Sequence, residues 1–207
     1  MNALLPFPRA WRAAVLLPTL LLAACAGVPP DPAADLAWQA HRGALLALDR
    51  WQLDGRLNIR GADGSDTVSL RWDQRPLDFE INLSGRLGLG SVRIAGRDGE
   101  VVVEKAGEEP VRAASLEELG ASYLGYAFPA RQLHYWIRGI DAPGTPARLT
   151  LNAEERLATL MQDGWTLEYD RYQEAGGLVL PGRIRLDFNQ GGESYRLTFL
   201  IGEWRVE

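Results

Sequence analysis

The chain has 207 residues, 46% of them hydrophobic and 24% charged, which is enough apolar material for one globular domain with a sizeable core. Its formal charge is −5 at pH 7. Removal of residues 1–24 would take away Arg9 and Arg12 but no acid, so that −5 would become −7. An acidic surface does not suit the phosphates of nucleic acid, and no nucleic-acid partner is expected.

Residues 1–24 have the features of a secretory signal peptide. Arg9 and Arg12 precede an apolar run over residues 13–22, which is shorter than the roughly 20 residues of a membrane-spanning helix. The sequence Leu22-Ala23-Ala24-Cys25 is similar to a bacterial lipobox, whose cysteine is acylated and becomes the first mature residue. The alternative is an ordinary signal peptide followed by a chance cysteine. Cys25 is the only cysteine, so no intramolecular disulfide can form.

The residues after Cys25 predict where the anchored protein resides. Ala26 and Gly27 follow the cysteine, and the lack of Asp there is similar to the sorting signal of enterobacterial lipoproteins for the outer membrane. Residues 25–34 contain three prolines among small residues and are interpreted as the lipidated cysteine and a flexible tether. Residues 35–207 are then a single domain.

The domain is predicted to be mainly β. Asp35 is a candidate N-cap for a helix near residues 36–48. Apolar and polar residues then alternate in four segments between Trp51 and Ile94, and the apolar run over residues 101–103 follows. These five predicted strands with short turns indicate an antiparallel meander with one dry face. Helices are predicted near residues 115–124, after a capping box at Ser115, and near residues 129–138, before Gly139. Further strands are predicted over 149–151, 157–161, 165–169, 184–188, 195–201 and 204–206.

So large an antiparallel sheet must curl, and short helices with apolar faces can cover its opening. A curled sheet encloses apolar space and is suited to a hydrocarbon ligand. The candidate lining residues lie at apolar alternating positions or on the apolar helix face, and periodicity does not separate core-filling from cavity-lining members. They are Trp51, Leu53, Leu57, Leu70, Trp72, Ile81, Leu83, Trp136, Trp165 and Tyr169.

The chain carries no recognisable catalytic motif, and we expect neither an enzyme nor a cofactor. Its two histidines lack metal-ligand spacing, and no nucleophile elbow or phosphate-binding glycine motif occurs. The sequence leaves a paired-carboxylate site open. His134, with Arg131 and Arg138, is predicted on the polar side of its helix, where it would contact a partner or an acidic head group, or form a solvated face.

Residues 84–91 break the alternation. Hairpin connections are normally polar, yet this one places Leu87 and Leu89 between glycines. Exposed leucines on a lipid-anchored protein would enter the bilayer surface, so these two are candidates for a membrane-insertion loop. The alternative is that the flanking strands extend further and both leucines face the core.

Several segments together resemble the outer-membrane lipoprotein receptor family LolB: Cys25 in its lipobox, the strand over residues 51–60, Gly85-Arg86-Leu87-Gly88, residues 132–140 with Trp136 and Gly139, and residues 180–186. The likeness covers nearly the whole mature chain. It implies an unclosed antiparallel β-barrel with a helical lid around a hydrophobic cavity, and a functional leucine at Leu87. Arg86 departs from the proline that the family carries before this leucine.

The resemblance also implies the function and the partners. A member of this family would accept lipoproteins from the periplasmic carrier LolA, shield their acyl chains and insert them into the outer membrane of a Gram-negative bacterium. It would be lipid-anchored on the periplasmic face and monomeric, with cargo lipoproteins and outer-membrane lipid as further partners. Two alternatives remain: a structural or assembly lipoprotein that binds a protein partner, and a lipid-modifying enzyme.

Overall fold

The computed structural model describes residues 32–61, 64–85, 91–97, 99–118, 129–190 and 193–207. Two helices, α1 (Pro32–Ala47) and α2 (Ala130–Trp136), accompany one large sheet, and residues 116–118 are also helical. None of the described helices has the length and apolar character to cross a bilayer. The strands are β1 (Trp51–Gly61), β2 (Gly64–Gln74), β3 (Phe79–Gly85), β4 (Ser91–Arg97), β5 (Glu100–Lys105), β6 (Val111–Ala113), β7 (Ala147–Leu151), β8 (Leu157–Gln162), β9 (Trp165–Ala175), β10 (Leu178–Gln190) and β11 (Glu193–Val206).

All the strands belong to one antiparallel sheet with the order β6-β5-β4-β3-β2-β1-β11-β10-β9-β8-β7. Neighbours in the sheet are neighbours in the chain except at β1 and β11, which pair from Trp51 with Val206 to Arg60 with Arg196. This pairing joins two meanders. The edges are β6 and β7, and the chain that runs between them contains α2. The sheet is therefore mostly antiparallel and unclosed, as expected.

The alternation of burial along the strands defines an inner and an outer face. On the inner face Leu53 pairs with Trp72, and Trp72 pairs with Ile81. In the other meander Leu167 pairs with Leu186, which pairs with Leu197. Helices α1 and α2 add Trp38, Leu45, Leu133 and Trp136 to the same hydrophobic core. Because this period-2 pattern buries one face only, the sheet curls around the apolar side.

The outer face carries ion pairs between strands. Arg93 of β4 lies between Glu80 of β3 and Glu104 of β5, at 2.6 and 2.9 Å. Arg112 pairs with Glu100 at 2.7 Å, and Arg196 pairs with Asp187 at 2.6 Å. Exposed pairs of this kind each contribute little to stability, but they suit an outer face in contact with water.

A bulge between Asp54 and Gly55 interrupts the β1–β11 pairing. A Cβ atom at Gly55 would lie 2.4 Å from the carbonyl oxygen of Leu200, which is backbone and cannot swing aside. Glycine is therefore required at this bulge, where the two meanders join.

Some predicted boundaries were wrong. Helix α1 begins at Pro32, so the last three residues of the predicted tether are helical, and proline is well suited to a first helical position. The predicted strands over 195–201 and 204–206 are one strand, β11, which continues through the bulge. Strand β6 was missed because its three residues are too short for an alternation to show. Helix α2 is shorter than predicted, and of the helix expected near 115–124 only residues up to 118 lie within the described part.

We expect Gly55→Ala to lower the free energy of unfolding by about 2 kcal/mol, because the added methyl group collides with the β11 backbone. Gly43→Ala is the matched control: no atom lies within 4 Å of its added Cβ, and α1 should gain up to about 1 kcal/mol. Urea denaturation of both variants measures the difference. Equal stability of the two variants would contradict the role given to Gly55.

Candidate functional site

The predicted lining residues come together on the inner face. Nine of the ten are buried in the core, and Leu83 is half-buried and packs against it. Leu53 and Trp136 have no exposed surface. These side chains contact one another and the helices. The structure thus brings together the set that alternation selected, as packed side chains.

Four rings form an aromatic cluster at the start of β1, which we define as Trp51, Trp72, Trp204 and His134. The ring centroid of Trp51 lies 5.0 Å from Trp72, 5.3 Å from Trp204 and 6.1 Å from His134. Trp51 belongs to β1, Trp72 to β2 and Trp204 to β11, whereas His134 belongs to α2. The cluster is therefore a point where α2 meets the sheet.

Near the opposite end of the strands, Gln162 attaches α2 and the following loop to β8. Its Oε1 accepts hydrogen bonds from Trp136 Nε1 at 2.8 Å and from the Ala142 amide at 3.0 Å. Its Nε2 donates to the Ala142 carbonyl at 2.8 Å. Tyr169 donates to the Trp136 carbonyl at 2.9 Å, and burial raises the pKa of its phenol. These buried polar groups are paired, so they fix α2 over the sheet at low cost.

Arg138 does not lie on a solvated helix face, and that part of the sequence interpretation was wrong. It is 1% exposed, and its Nη1 donates to the Leu45 and Leu48 carbonyls at 2.6 and 2.7 Å. Carbonyls at a helix C-terminus lack partners within the helix and carry partial negative charge, so they can hold a buried cation. Burial nonetheless lowers the pKa of Arg138 to about 10.

Two further features secure this junction of the helices. Arg42 of α1 makes a bidentate ion pair with Asp141, at 2.5 and 2.8 Å. Gly139, with φ +83, ends α2: its amide donates to the Trp136 carbonyl at 3.0 Å, and the Ile140 amide donates to Tyr135 at 3.4 Å. The sequence signalled Gly139 as a helix stop, but an arginine that caps a different helix leaves no pattern in the sequence.

The histidines are neutral under ordinary conditions. Burial, together with the charge of Arg138, lowers the pKa of His134 to about 4. Burial and Arg156 lower the pKa of His41 to about 4 as well. Within the described ranges no group of three or more His, Cys, Asp or Glu side chains could hold a metal ion.

The inner face is less well covered toward β6. Its residues on β3 to β6 follow the same alternation, and apart from buried members such as Ile81 and Val101 most are only half-buried, whereas most inner-face positions on β1, β2 and β8 to β11 are buried. Sequence reasoning did not name most of these, although their alternation was visible. They are Leu83, Val92, Ile94, Val103 and Val111.

Two clefts of the described structure lie on the outer face. One, of about 620 Å³, is lined mainly by the paired charges of β2 to β6, among them Arg93, Glu80 and Glu104. The other, of about 670 Å³, lies beside the β1–β11 bulge between Arg56 and Arg171. None of the ten predicted lining residues borders either cleft.

Three predicted site residues, Cys25, Leu87 and Leu89, lie outside the described residues, as does Arg86. Their flanks are described. Helix α1 begins seven residues after Cys25, β3 ends at Gly85, the second residue of the predicted segment 84–91, and β4 begins at Ser91, its last residue.

We expect Arg138→Met to lower the free energy of unfolding by about 3 kcal/mol, because the α1 carbonyls lose a charged donor in a buried place. Arg131→Met on the same helix is the control: Arg131 is exposed, and its loss should change stability by less than about 0.5 kcal/mol. Denaturant unfolding measures both free energies, and equal effects would contradict the role given to the hydrogen bonds between Arg138 and the end of α1.

Comparison with known proteins identifies the family. The family model described as outer membrane lipoprotein LolB matches residues 49–204. The outer-membrane lipoprotein LolB of Stutzerimonas stutzeri (strain A1501) is 41% identical over 191 residues, covering 90% of this chain and 91% of its own. The LolB of Pseudomonas aeruginosa (strain LESB58) is 40% identical over 190 residues, covering 89% of this chain and 91% of its own.

Solved structures show a similarity of fold. A LolA superfamily protein from Nitrosomonas europaea superposes with a TM-score of 0.53 at 12% identity, over 84% of this chain and 93% of its own. An outer membrane lipoprotein-sorting protein domain from Vibrio parahaemolyticus gives 0.52 at 10% identity, with coverage of 84% and 93%. With the relatives at about 40% identity over nine-tenths of the chain, these findings establish that the chain belongs to the LolB family of outer-membrane lipoproteins.

Proposed function

We propose that the protein accepts acylated lipoproteins from a periplasmic carrier of the LolA type, shields their acyl chains and inserts them into the outer membrane. The observation that carries this proposal is the apolar inner face of an unclosed sheet, covered by helices and only half-buried toward β6. A monomer could perform this transfer without a cofactor or a catalytic group.

The free energy of exposing acyl chains to water favours proteins that shield them. Exposure of one acyl chain of a dozen or more methylenes costs on the order of 10 kcal/mol, at about 0.8 kcal/mol per methylene. Unaided passage through the periplasm is therefore very unfavourable. Transfer from carrier to receptor needs only a difference in affinity, since each factor of ten corresponds to about 1.4 kcal/mol.

The acyl chains would enter where the inner face is least covered. Burial supports the β3–β6 part as the entrance, with Ile94 and Val103 as its floor. The ten residues predicted as lining would form the deeper wall. Because they are packed against one another and against α1 and α2, deep entry requires the helices to move from the sheet.

The anchor is part of the proposal. Acylation of Cys25 would hold the protein at the membrane through a link of six residues before α1, so the domain would stay close to the surface. Leu87, with Leu89, would contact the outer-membrane lipid and promote release of the cargo.

A second candidate function is that of an assembly lipoprotein whose outer face binds a protein partner. The cleft of about 620 Å³ over β2 to β6 favours it. A fluorescent apolar probe distinguishes the two. Probe fluorescence that rises with this protein and is displaced by a triacylated lipopeptide supports the receptor, and the absence of probe binding would refute it.

We expect Val103→Glu to weaken probe and lipopeptide binding about tenfold or more, because it places a carboxylate on the apolar inner face. Val102→Glu is the matched control, since Val102 is also half-buried but points to the outer face of the same strand. Titration of both variants gives the two dissociation constants. An equal loss would mean that the carboxylate acts through folding and not through the site.

We expect Leu87→Glu to leave uptake of lipoprotein from the carrier near normal and to slow its insertion into liposomes. Leu77→Glu is the control, because Leu77 is 89% exposed in the turn at the other end of β3. The yield of inserted lipoprotein against time measures the effect. Unchanged insertion by the Leu87 variant would disprove the loop assignment.

A further inference from the structure

Trp51 differs in its hydrogen bonding from three other tryptophans of the core. Its side chain is 3% exposed, and its Nε1 has no acceptor within hydrogen-bond distance among the described residues. By contrast, Trp72 donates to Gln74 at 3.2 Å, Trp136 to Gln162 at 2.8 Å and Trp204 to the Pro181 carbonyl at 2.7 Å. Buried donors are nearly always paired, so the free indole N–H of Trp51 has a cost that needs a reason.

The surroundings of Trp51 exclude many kinds of acceptor. Its ring neighbours are the indoles of Trp72 and Trp204 and the imidazole of His134. A phosphate or a carboxylate would lose its hydration among these rings at a high cost. A carbonyl oxygen loses much less, and it is the polar atom at the head of every fatty acyl chain. The cluster therefore suits a neutral carbonyl with a hydrocarbon attached.

We propose that the Trp51 indole N–H donates a hydrogen bond to the ester or amide carbonyl of a cargo acyl chain. This inference rests on the proposed function and names the polar contact that the site makes with its cargo. In the structure as described the N–H is covered. His134 is the one ring of the cluster that belongs to α2, so separation of α2 from the sheet at this point uncovers Trp51.

Such a contact helps in both states of a receptor. Without cargo the unpaired donor raises the free energy of the closed form, so less is lost when the helices move. With cargo the donor is paired, and the carbonyl recovers the hydrogen bond that it had with water. The contact also recognises the carbonyl group of the acyl chain, which a purely apolar surface cannot do.

The test compares two probes and one atom. The probes are a peptide bearing a palmitoyl ester on serine and the same peptide bearing a hexadecyl ether, which have equal chain length but differ in the carbonyl. The variant protein carries benzothienylalanine at position 51, which replaces the N–H with sulfur and keeps the ring shape. We expect the unmodified protein to prefer the ester by about three- to tenfold, and the variant to lose that preference.

The outcomes separate the inference from the proposed function. If the unmodified protein binds both probes equally, or the variant keeps the ester preference, the Trp51 contact is wrong while the receptor function stands. If the unmodified protein binds neither probe, both are wrong.

Stability gives an independent readout. Replacement of Trp51 by benzothienylalanine should leave the urea midpoint of the cargo-free protein unchanged or raise it, because no hydrogen bond is lost. The same replacement at Trp204 should lower the midpoint, since the Pro181 carbonyl loses its donor. A drop at Trp51 as large as that at Trp204 would show that the Trp51 N–H is paired within the protein, against the inference.

Discussion

The pairing of β1 with β11 is the constraint on which the rest of the structure depends. It joins the first strand of the domain to the last, so two meanders that could each have formed a separate sheet share one apolar face. The rows that continue from Trp72 through Leu53 to Trp204 exist only because of this register. The bulge at Gly55 shifts the alternation by one residue within β11, and the sheet bends where the two meanders meet.

The proposed receptor must stay folded when its site is empty. Its inner face is packed unevenly by side chains of the strands and of the two helices. Around β8 to β11 the core is closed by Trp136, Gln162 and Tyr169, whose hydrogen bonds hold α2. Arg138 and the Arg42–Asp141 pair hold α1 against the same loop. Toward β6 the Glu117 carboxylate accepts a hydrogen bond from the Arg131 amide at 2.9 Å, but that contact is exposed, and most of the apolar side chains of the inner face are only half-buried there. Most of the buried hydrogen bonds that hold the helices therefore lie in one half of the sheet, and the proposed acyl-chain entrance lies in the other.

The fold was predictable because its signal is local. The alternation around Trp51, Trp72 and Ile81 states which side chains face inward, and the register then follows from burying that face. Gly139 likewise indicated the end of α2, because glycine readily adopts the positive φ that ends a helix. These features depend on neighbours along the chain and leave a pattern that can be read without coordinates.

The parts that escaped prediction depend on contacts between distant segments. Arg138 follows the polar positions of its helix, yet it is buried because the end of α1, about ninety residues earlier, lies there to receive it. The free N–H of Trp51 is equally invisible in the sequence, since the alternation that buries an indole does not indicate whether it finds an acceptor. The division of the inner face into packed and half-buried parts also arises only from where the helices lie.

The two edges of the sheet, β6 and β7, are joined by covalent chain and not by a ladder of hydrogen bonds. A closed barrel has a circumference set by its strand number and shear, and it can widen only by breaking a seam. Here the gap between the edges can change through the twist of the sheet, while every strand keeps its partner. For the proposed receptor, an open sheet of this kind would accommodate lipid tails of different length and number without the loss of any strand pairing.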